Sequence, residues 1–259
     1  MATAGTGIDL RRAYGDIDRY RGELRERGVS VIPDFVASDV IAAMVDECDA
    51  LAPEAYHQDV QGTPYLELPE DGWPDGHPRV TWARSSVHTI GYDQFPSTSI
   101  IRTLYEDDDF LAFLAAVLER EPLYRYADPI GALNLAVMVE GDVLDWHFDQ
   151  TDFVVSLAIQ SSDEGGDFEN AANLRSPEDE NYDGVHDVMH GGGDVVVEPM
   201  TPGTLMLFEG RHSLHRVSPI HGTTPRYVAL FGYDTKPDTM SSDLLKQIRY
   251  GRSEPLAAR

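Results

Sequence analysis

Asp145-Trp146-His147-Phe148-Asp149-Gln150-Thr151, read DWHFDQT, lies just past the middle of the 259-residue chain. It is bracketed by two apolar runs, Leu133 to Val139 before it and Phe153 to Ile159 after it. Side chains alternate along extended chain, so residues two apart point to one face. An extended 147–149 segment therefore sets His147 and Asp149 side by side and turns Phe148 away. An imidazole and a carboxylate on one face can grip one metal ion.

A third ligand has to come from elsewhere. Two histidines compete in Phe208-Glu209-Gly210-Arg211-His212-Ser213-Leu214-His215-Arg216-Val217. His212 falls in a polar turn after Gly210, whereas His215 opens an apolar run. His215 is favoured, because a ligand carried on a strand is held more firmly than one on a turn. Two histidines and one carboxylate, with open positions opposite, form the ligand set of non-haem Fe(II) oxygenases. Arg226 opens the run Tyr227 to Tyr233, eleven residues beyond His215. A hairpin turning at His221-Gly222-Thr223-Thr224 would carry its guanidinium into the same cavity. Arginine presents a planar fork that suits a carboxylate and keeps its charge when buried.

Outward from this centre the chain divides by period. Ile8 to Arg27 carries apolar residues at helical steps and stops at Gly28. A short strand follows at Val29 to Pro33, then a helix from Ser38 to Leu51. Residues 53–97 mix Pro, Gly, Asp and aromatics without a clean period, with a strand expected near Val80-Thr81-Trp82. Helices are expected at Ser99–Tyr105 and Asp107–Glu119. Strands are expected at 133–140, 153–160, 194–199, 203–208, 214–218 and 226–233, with weaker candidates near Phe168 and Val185. The expectation is one domain over 1–259. It comprises helices and an irregular substrate-side segment (1–128), a β-rich core (129–235) interrupted by an acidic, Gly-rich insertion (161–193), and a C-terminal tail (236–259). This is a mainly β architecture, a barrel or sandwich with helical buttresses.

Composition narrows the partners. Forty-five acidic against twenty basic residues leave a formal charge of −25. That field repels phosphate backbones and anionic membranes; it reads first as a solvated surface that aids solubility, with attraction of a cationic substrate as the alternative. Cys48 is the single cysteine, so an intrachain disulfide and a cysteine-based zinc site are excluded, as suits a cytoplasmic protein. The chain shows no signal-peptide pattern and no apolar run of membrane-spanning length.

Taken in order, His147-x-Asp149, Gly203 to Phe208, His215-Arg216-Val217 and Arg226 resemble the Fe(II)/2-oxoglutarate-dependent oxygenases over about residues 130–235. The stretch Gly28 to Phe35 is similar to the opening strand of phytanoyl-CoA dioxygenase-like members. The runs WHFDQTDFVVSLAIQ, GGDFE and LFEGRHSLHRV resemble small oxygenases that act on free amino acids, a group that includes free-amino-acid halogenases. The resemblance implies a double-stranded β-helix, the cupin-like jelly roll. It implies Fe(II) held by His147, Asp149 and His215, 2-oxoglutarate chelating that iron with its far carboxylate on Arg226, and O2 as the oxidant. The reaction implied is oxidation of an unactivated C–H bond of a small, amino-acid-derived substrate, with hydroxylation as the default and desaturation or ring closure as variants. In the halogenases a small residue replaces the carboxylate ligand and chloride binds iron there. Asp149 occupies that position here and argues against halogenation.

Other residues are assigned around this centre. Asn134, in phase with Ala136 and Met138, is a candidate hydrogen-bond donor to 2-oxoglutarate or a local cap. Arg84 and Arg175 are candidate anchors for a substrate carboxylate, with surface ion pairs as the alternative. Trp146 and Phe148 flank the ligand, one packing into the wall and one shaping the pocket. The insertion is a candidate lid or an exposed loop. His57, His77, His88, His186 and His190 lack partner spacing and are set aside as ligands, His88 being worth attention for its proximity to Arg84. Two other readings fit an HxD pair: a cupin-type metal enzyme that needs no cosubstrate, and a non-catalytic metal- or sugar-binding β-sandwich.

Overall fold

The computed structural model describes residues 10–257. In chain order the helices are α1 (Leu10–Gly15), α2 (Ile17–Arg27), α3 (Ser38–Leu51), α4 (Ile100–Glu106), α5 (Asp108–Leu118), α6 (Tyr182–Met189) and α7 (Asp243–Tyr250). The strands are β1 (Val29–Ile32), β2 (Tyr56–Gly62), β3 (Ala83–Gly91), β4 (Tyr124–Arg125), β5 (Leu133–Met138), β6 (Val143–His147), β7 (Val154–Gln160) and β8 (Glu164–Gly165). They continue with β9 (Phe168–Ala171), β10 (Val196–Glu198), β11 (Leu205–Phe208), β12 (Leu214–Val217), β13 (Ile220–His221), β14 (Arg226–Phe231) and β15 (Tyr233–Asp234). An eleven-stranded antiparallel sheet runs β1-β11-β7-β14-β5-β3-β6-β12-β9-β10, with β2 added to β3. β3 bridges its two halves, pairing β5 at residues 88–91 and β6 at residues 85–86.

The side-chain period explains the layers. On β5, Leu133, Leu135 and Val137 face the helices, joined by Val155, Leu157 and Ile159 of β7 and Tyr227, Ala229 and Phe231 of β14. The alternate residues Ala136 and Met138 face inward with Met206, Phe208, Phe168, Val217 and Ile220. Both faces of this half of the sheet are therefore covered, which is why Leu133 to Met138 reads as an apolar run broken only by Asn134. A third cluster, with Trp146, Phe148, Leu214, Val185 and Val188, lies on the outer face of β6 and β12.

Several expectations change. The first helix breaks at Asp16 into α1 and α2, and Ile8 of the expected helix lies outside the described residues. The irregular 53–97 segment contains the β2–β3 ribbon, whose strand begins at Ala83 and not near Val80. Val185 belongs to α6, because the apolar pair Val185 and Val188 at helical spacing packs behind β6 and β12. The Gly-rich insertion thus backs the wall of the barrel. Of the expected tail, 236–259, the described residues 236–257 form more than a tail. α7 starts on the Ser242 hydroxyl cap and ends on left-handed Gly251. It is tied down by the buried Lys246–Asp128 ion pair at 3.7 Å and by the Tyr250 hydroxyl, which donates to Asn134.

α5 is seated by aromatic packing. The Phe113 ring meets Tyr14 edge-on at 5.3 Å and stacks on Phe35 at 5.7 Å, fully buried. Phe113→Ala is expected to lower unfolding stability by about 3–5 kcal/mol in urea titration, the range for emptying a large aromatic site.

Candidate metal centre

β6 and β12 are antiparallel neighbours with His147 directly opposite His215. The two rings lie 4.3 Å apart at 57°. β6 ends at His147, so Asp149 lies in the loop beyond it and not on a shared strand. Its backbone N–H donates to the Gly210 carbonyl at 3.0 Å, which anchors that loop to the turn before β12. The His147 Nδ1 lies 2.7 Å from the Asp145 carbonyl and the His215 Nδ1 2.9 Å from the Ser213 carbonyl. A carbonyl can only accept, so each Nδ1 carries the proton and each Nε2 presents a lone pair. The Nε2 atoms face Asp149: His215 at 3.3 Å from Oδ2 and His147 at 4.0 Å from Oδ1. One ligand atom from each of the three residues falls within 4.8 Å of the others. His212 stays in the turn outside this group, its carbonyl accepting from the Arg175 N–H.

The electrostatics suit a cation. Burial, followed by the neighbouring His215, pushes His147 down to about 4, so its imidazole is neutral at pH 7. Burial works to raise the Asp149 carboxyl, but its imidazole neighbours hold it well below the usual carboxylate range, so it stands ionised at neutral pH. A carboxylate and two lone-pair nitrogens are the protonation states that a divalent metal requires.

Arg226 approaches from the other half of the sheet. The hairpin expected between His215 and Arg226 does not form: β13 pairs with β8, and β14 crosses to lie between β5 and β7. The guanidinium nonetheless enters the interior, because Arg226 is in phase with Val228 opposite Met138 and Ala136. Its Nη1 lies 3.9 Å from the Met138 sulfur, and among the described residues no carboxylate pairs with it. Burial lowers it to about 10, still cationic at neutral pH. Left-handed Gly166 permits this placement, since a Cβ there would stand 2.8 Å from Arg226 Cδ and from Ile220 Cδ1. Met138 and Ile220 belong to the same inner cluster as Phe168 and Phe208, whose rings pack on His215 at 5.5 and 5.0 Å.

Two polar residues near the centre escaped the sequence reading. Asn170 of β9 sits directly opposite His215 and inward with Phe168; it is 2 % exposed, and neither its Oδ1 nor its Nδ2 has a partner. Its signal in the sequence is a lone Asn in phase with Phe168, faint without the pairing. Arg249 of α7 is half-buried, and its charge acts on both His147 and Asp149. Nothing in the sequence placed the C-terminal segment at the barrel mouth.

The remaining candidates are engaged elsewhere. Asn134 accepts from the Tyr250 hydroxyl and donates to the Gly131 carbonyl at 3.3 Å. Arg84 forks onto Asp59, both bonds at 2.9 Å, in an exposed pair. Arg175 holds the Arg211 carbonyl and Glu180 and covers the Phe148 ring at 4.0 Å. Trp146 faces away from His147 with Phe148, and Arg216 lies over its ring at 4.7 Å. A second trio, His57, His88 and Asp142, also gathers three ligand atoms within 4.8 Å.

The comparisons agree with this architecture. A 2OG-Fe(II) oxygenase family oxidoreductase from Burkholderia pseudomallei superimposes with a TM-score of 0.52 at 16% identity, over 85% of this chain and 91% of its own. A Pseudomonas putida prolyl-4-hydroxylase gives 0.52 at 13% identity over 85% and 99%. The epimerase SnoN from nogalamycin biosynthesis, solved with Fe3+ and alpha ketoglutarate, gives 0.58 at 14% identity over 85% and 84%. The fold is therefore that of the 2-oxoglutarate/Fe(II) oxygenases. The family profile described as Halogenase D matches residues 13–248, and the chain belongs to that family. No curated protein matches it in sequence.

Gly210 is packed against the acid: a Cβ there would lie 2.2 Å from Asp149 Oδ2. Gly210→Ala is expected to displace the carboxylate and weaken Fe(II) binding at least about tenfold, roughly 1.4 kcal/mol, by anaerobic titration, with the circular dichroism spectrum unchanged.

Proposed function

We propose that this chain is an Fe(II)- and 2-oxoglutarate-dependent oxygenase that hydroxylates a small amino-acid-derived substrate, with iron on His147, Asp149 and His215. The observation that carries the reading is the convergence of two Nε2 lone pairs and one carboxylate at the edge of the inner cluster that also holds an unpaired guanidinium. The residues fit the groups expected of this fold. A buried arginine with no anion is incomplete, and the far carboxylate of 2-oxoglutarate supplies the missing partner. Asn170, buried with both polar atoms free, offers a further donor and acceptor. Iron with 2-oxoglutarate and O2 supplies the oxidising power to break a C–H bond. The chain's own part is to fix the ligand nitrogens, hold the dicarboxylate on Arg226 and keep the interior dry through Phe168, Phe208 and Met138.

The second trio is a weaker candidate for the iron of this reaction. His57 is close to half exposed, and the described contacts of Arg226 do not include it. The presence of Asp149 favours hydroxylation within a family described by halogenation, because the carboxylate takes the place a halide would need. The −25 charge favours a substrate bearing an amine. Arg249 is better placed than Arg84 or Arg175 to meet that substrate's carboxylate, since those two already have acid partners.

Mixing Fe(II) and 2-oxoglutarate anaerobically with the protein should give a weak visible charge-transfer band, and a screen of amino acids under O2 should give succinate with a product 16 mass units heavier. Absence of 2-oxoglutarate turnover would point to a cupin enzyme or a binding module. Arg226→Ala should raise the 2-oxoglutarate Kd about a hundredfold, roughly 3 kcal/mol for a lost charged pair, while leaving the Fe(II) Kd within about threefold. Arg249→Ala should raise the KM for the amino acid at least about tenfold, and Arg84→Ala should leave it within about twofold.

A further inference from the structure

We propose that His57, His88 and Asp142 form a second metal site, for a divalent transition cation such as Zn2+ or Co2+, at the opposite end of β6 from the triad. His57 is on β2, His88 stands opposite it on β3, and Asp142 immediately precedes β6. Five residues of extended chain separate Asp142 from His147, about 16 Å at roughly 3.3 Å per residue. The two trios therefore cannot share one ion.

The imidazole rings stack in parallel at 4.1 Å and 9°. Their inner nitrogens bracket one carboxylate: His57 Nε2 lies 3.6 Å from Asp142 Oδ1, and His88 Nδ1 lies 3.2 Å from Oδ2. In a tetrahedral zinc site with bonds of about 2.0–2.1 Å, ligand atoms stand about 3.3 Å apart. Each imidazole nitrogen stands near that length from a different oxygen of the carboxylate, and since ring lone pairs lie in the ring plane, one imidazole turns out of the stack for both to meet a single ion. Two imidazoles and one carboxylate form a borderline donor set that prefers zinc, cobalt or nickel to calcium or magnesium.

The carboxylate is positioned in advance. Asp142 is 5 % exposed, and its Oδ2 accepts the Val139 N–H at 2.9 Å, which closes the turn between β5 and β6. Ser86 Oγ donates to Oδ1 and lies 3.0 Å from His57 Nε2, within reach of the fourth position. The imidazoles are open to water at 45 and 26 %, so an ion can enter without unfolding. Bound there, it clips β2, β3 and the 139–142 turn together. That clip fastens the ribbon on which α7 rests, and α7 carries Arg249 and Tyr250 to the barrel mouth.

The same atoms also close as a hydrogen-bonded chain, and metal stoichiometry separates the two arrangements. The untagged full-length protein is stripped with chelator, dialysed against Co2+ and assayed for bound metal and for the intense visible bands of tetrahedral cobalt. The expected result is two equivalents for wild type, one for His57→Ala, one for His215→Ala and none for the double variant. The tetrahedral bands should persist in His215→Ala and vanish in the double variant. His57 is exposed enough that its loss leaves the fold intact, and His88→Ala should repeat the result. Retention of two equivalents by His57→Ala, or of none by His215→Ala, overturns the proposal. So does a rise in Tm with Zn2+ that is equal in His215→Ala and in the double variant.

Discussion

The pairing of β6 with β12 is the constraint on which the rest of the molecule depends. It brings residues 147 and 215, far apart in sequence, to direct opposition on adjacent strands. A slip of one residue would turn one of the rings to the outer face, where Trp146 and Leu214 now pack. Register alone does not orient a ring. Each Nδ1 is held by a carbonyl two residues earlier, Asp145 for one and Ser213 for the other, so both free nitrogens emerge on the same side. The backbone thus sets tautomer and direction together, and it does so without recruiting any further side chain.

Around that pair the sheet is built to contain a polar centre within an apolar body. One half is sealed by helices on its outer face, and the other is backed by α6 and its companions. The space between halves is lined by methionine, phenylalanine and valine, with Arg226 and Asn170 as the polar intrusions described above. The structural neighbours include an epimerase, a carbocyclase and a hydroxylase, so the fold by itself selects no reaction. The local chemistry of this chain is an aspartate at 149, in contact with a glycine that leaves it room.

Much of this was legible in the sequence because the residues involved follow strict periods or simple chemistry. The inward phase of Asn134 with Met138 rests on alternation and the preference for His215 over His212 on strand against turn, whereas the HxD pair was legible from its chemistry although Asp149 lies past the end of the strand. The continuous apolar runs of β5, β7 and β14 identified the doubly covered strands. What failed were relations between distant segments. Strand order placed three strands, β5, β3 and β6, between Arg226 and His215 instead of a hairpin, since nothing local reveals that β13 pairs with β8. The β2–β3 ribbon was hidden because polar residues hold its buried positions, with Gln58 and Ser86 where apolar residues would have shown a period. His57 and His88, thirty-one positions apart, become neighbours through that same ribbon. The terminal helix was missed because its packing rests on a buried Lys246–Asp128 pair and one tyrosine, neither of which produces an apolar stripe.

The buried guanidinium at 226 would also couple anion binding to the lifetime of the fold. The Asp167 charge acts on this buried cation without pairing to it, so an anion that joined it would stabilise the native state. Any dicarboxylate seated there stabilises only the folded form, by about 2.7 kcal/mol at a concentration one hundred times its Kd. A cell rich in such acids would keep more of this protein intact and out of reach of proteases, whereas a starved one would let it go.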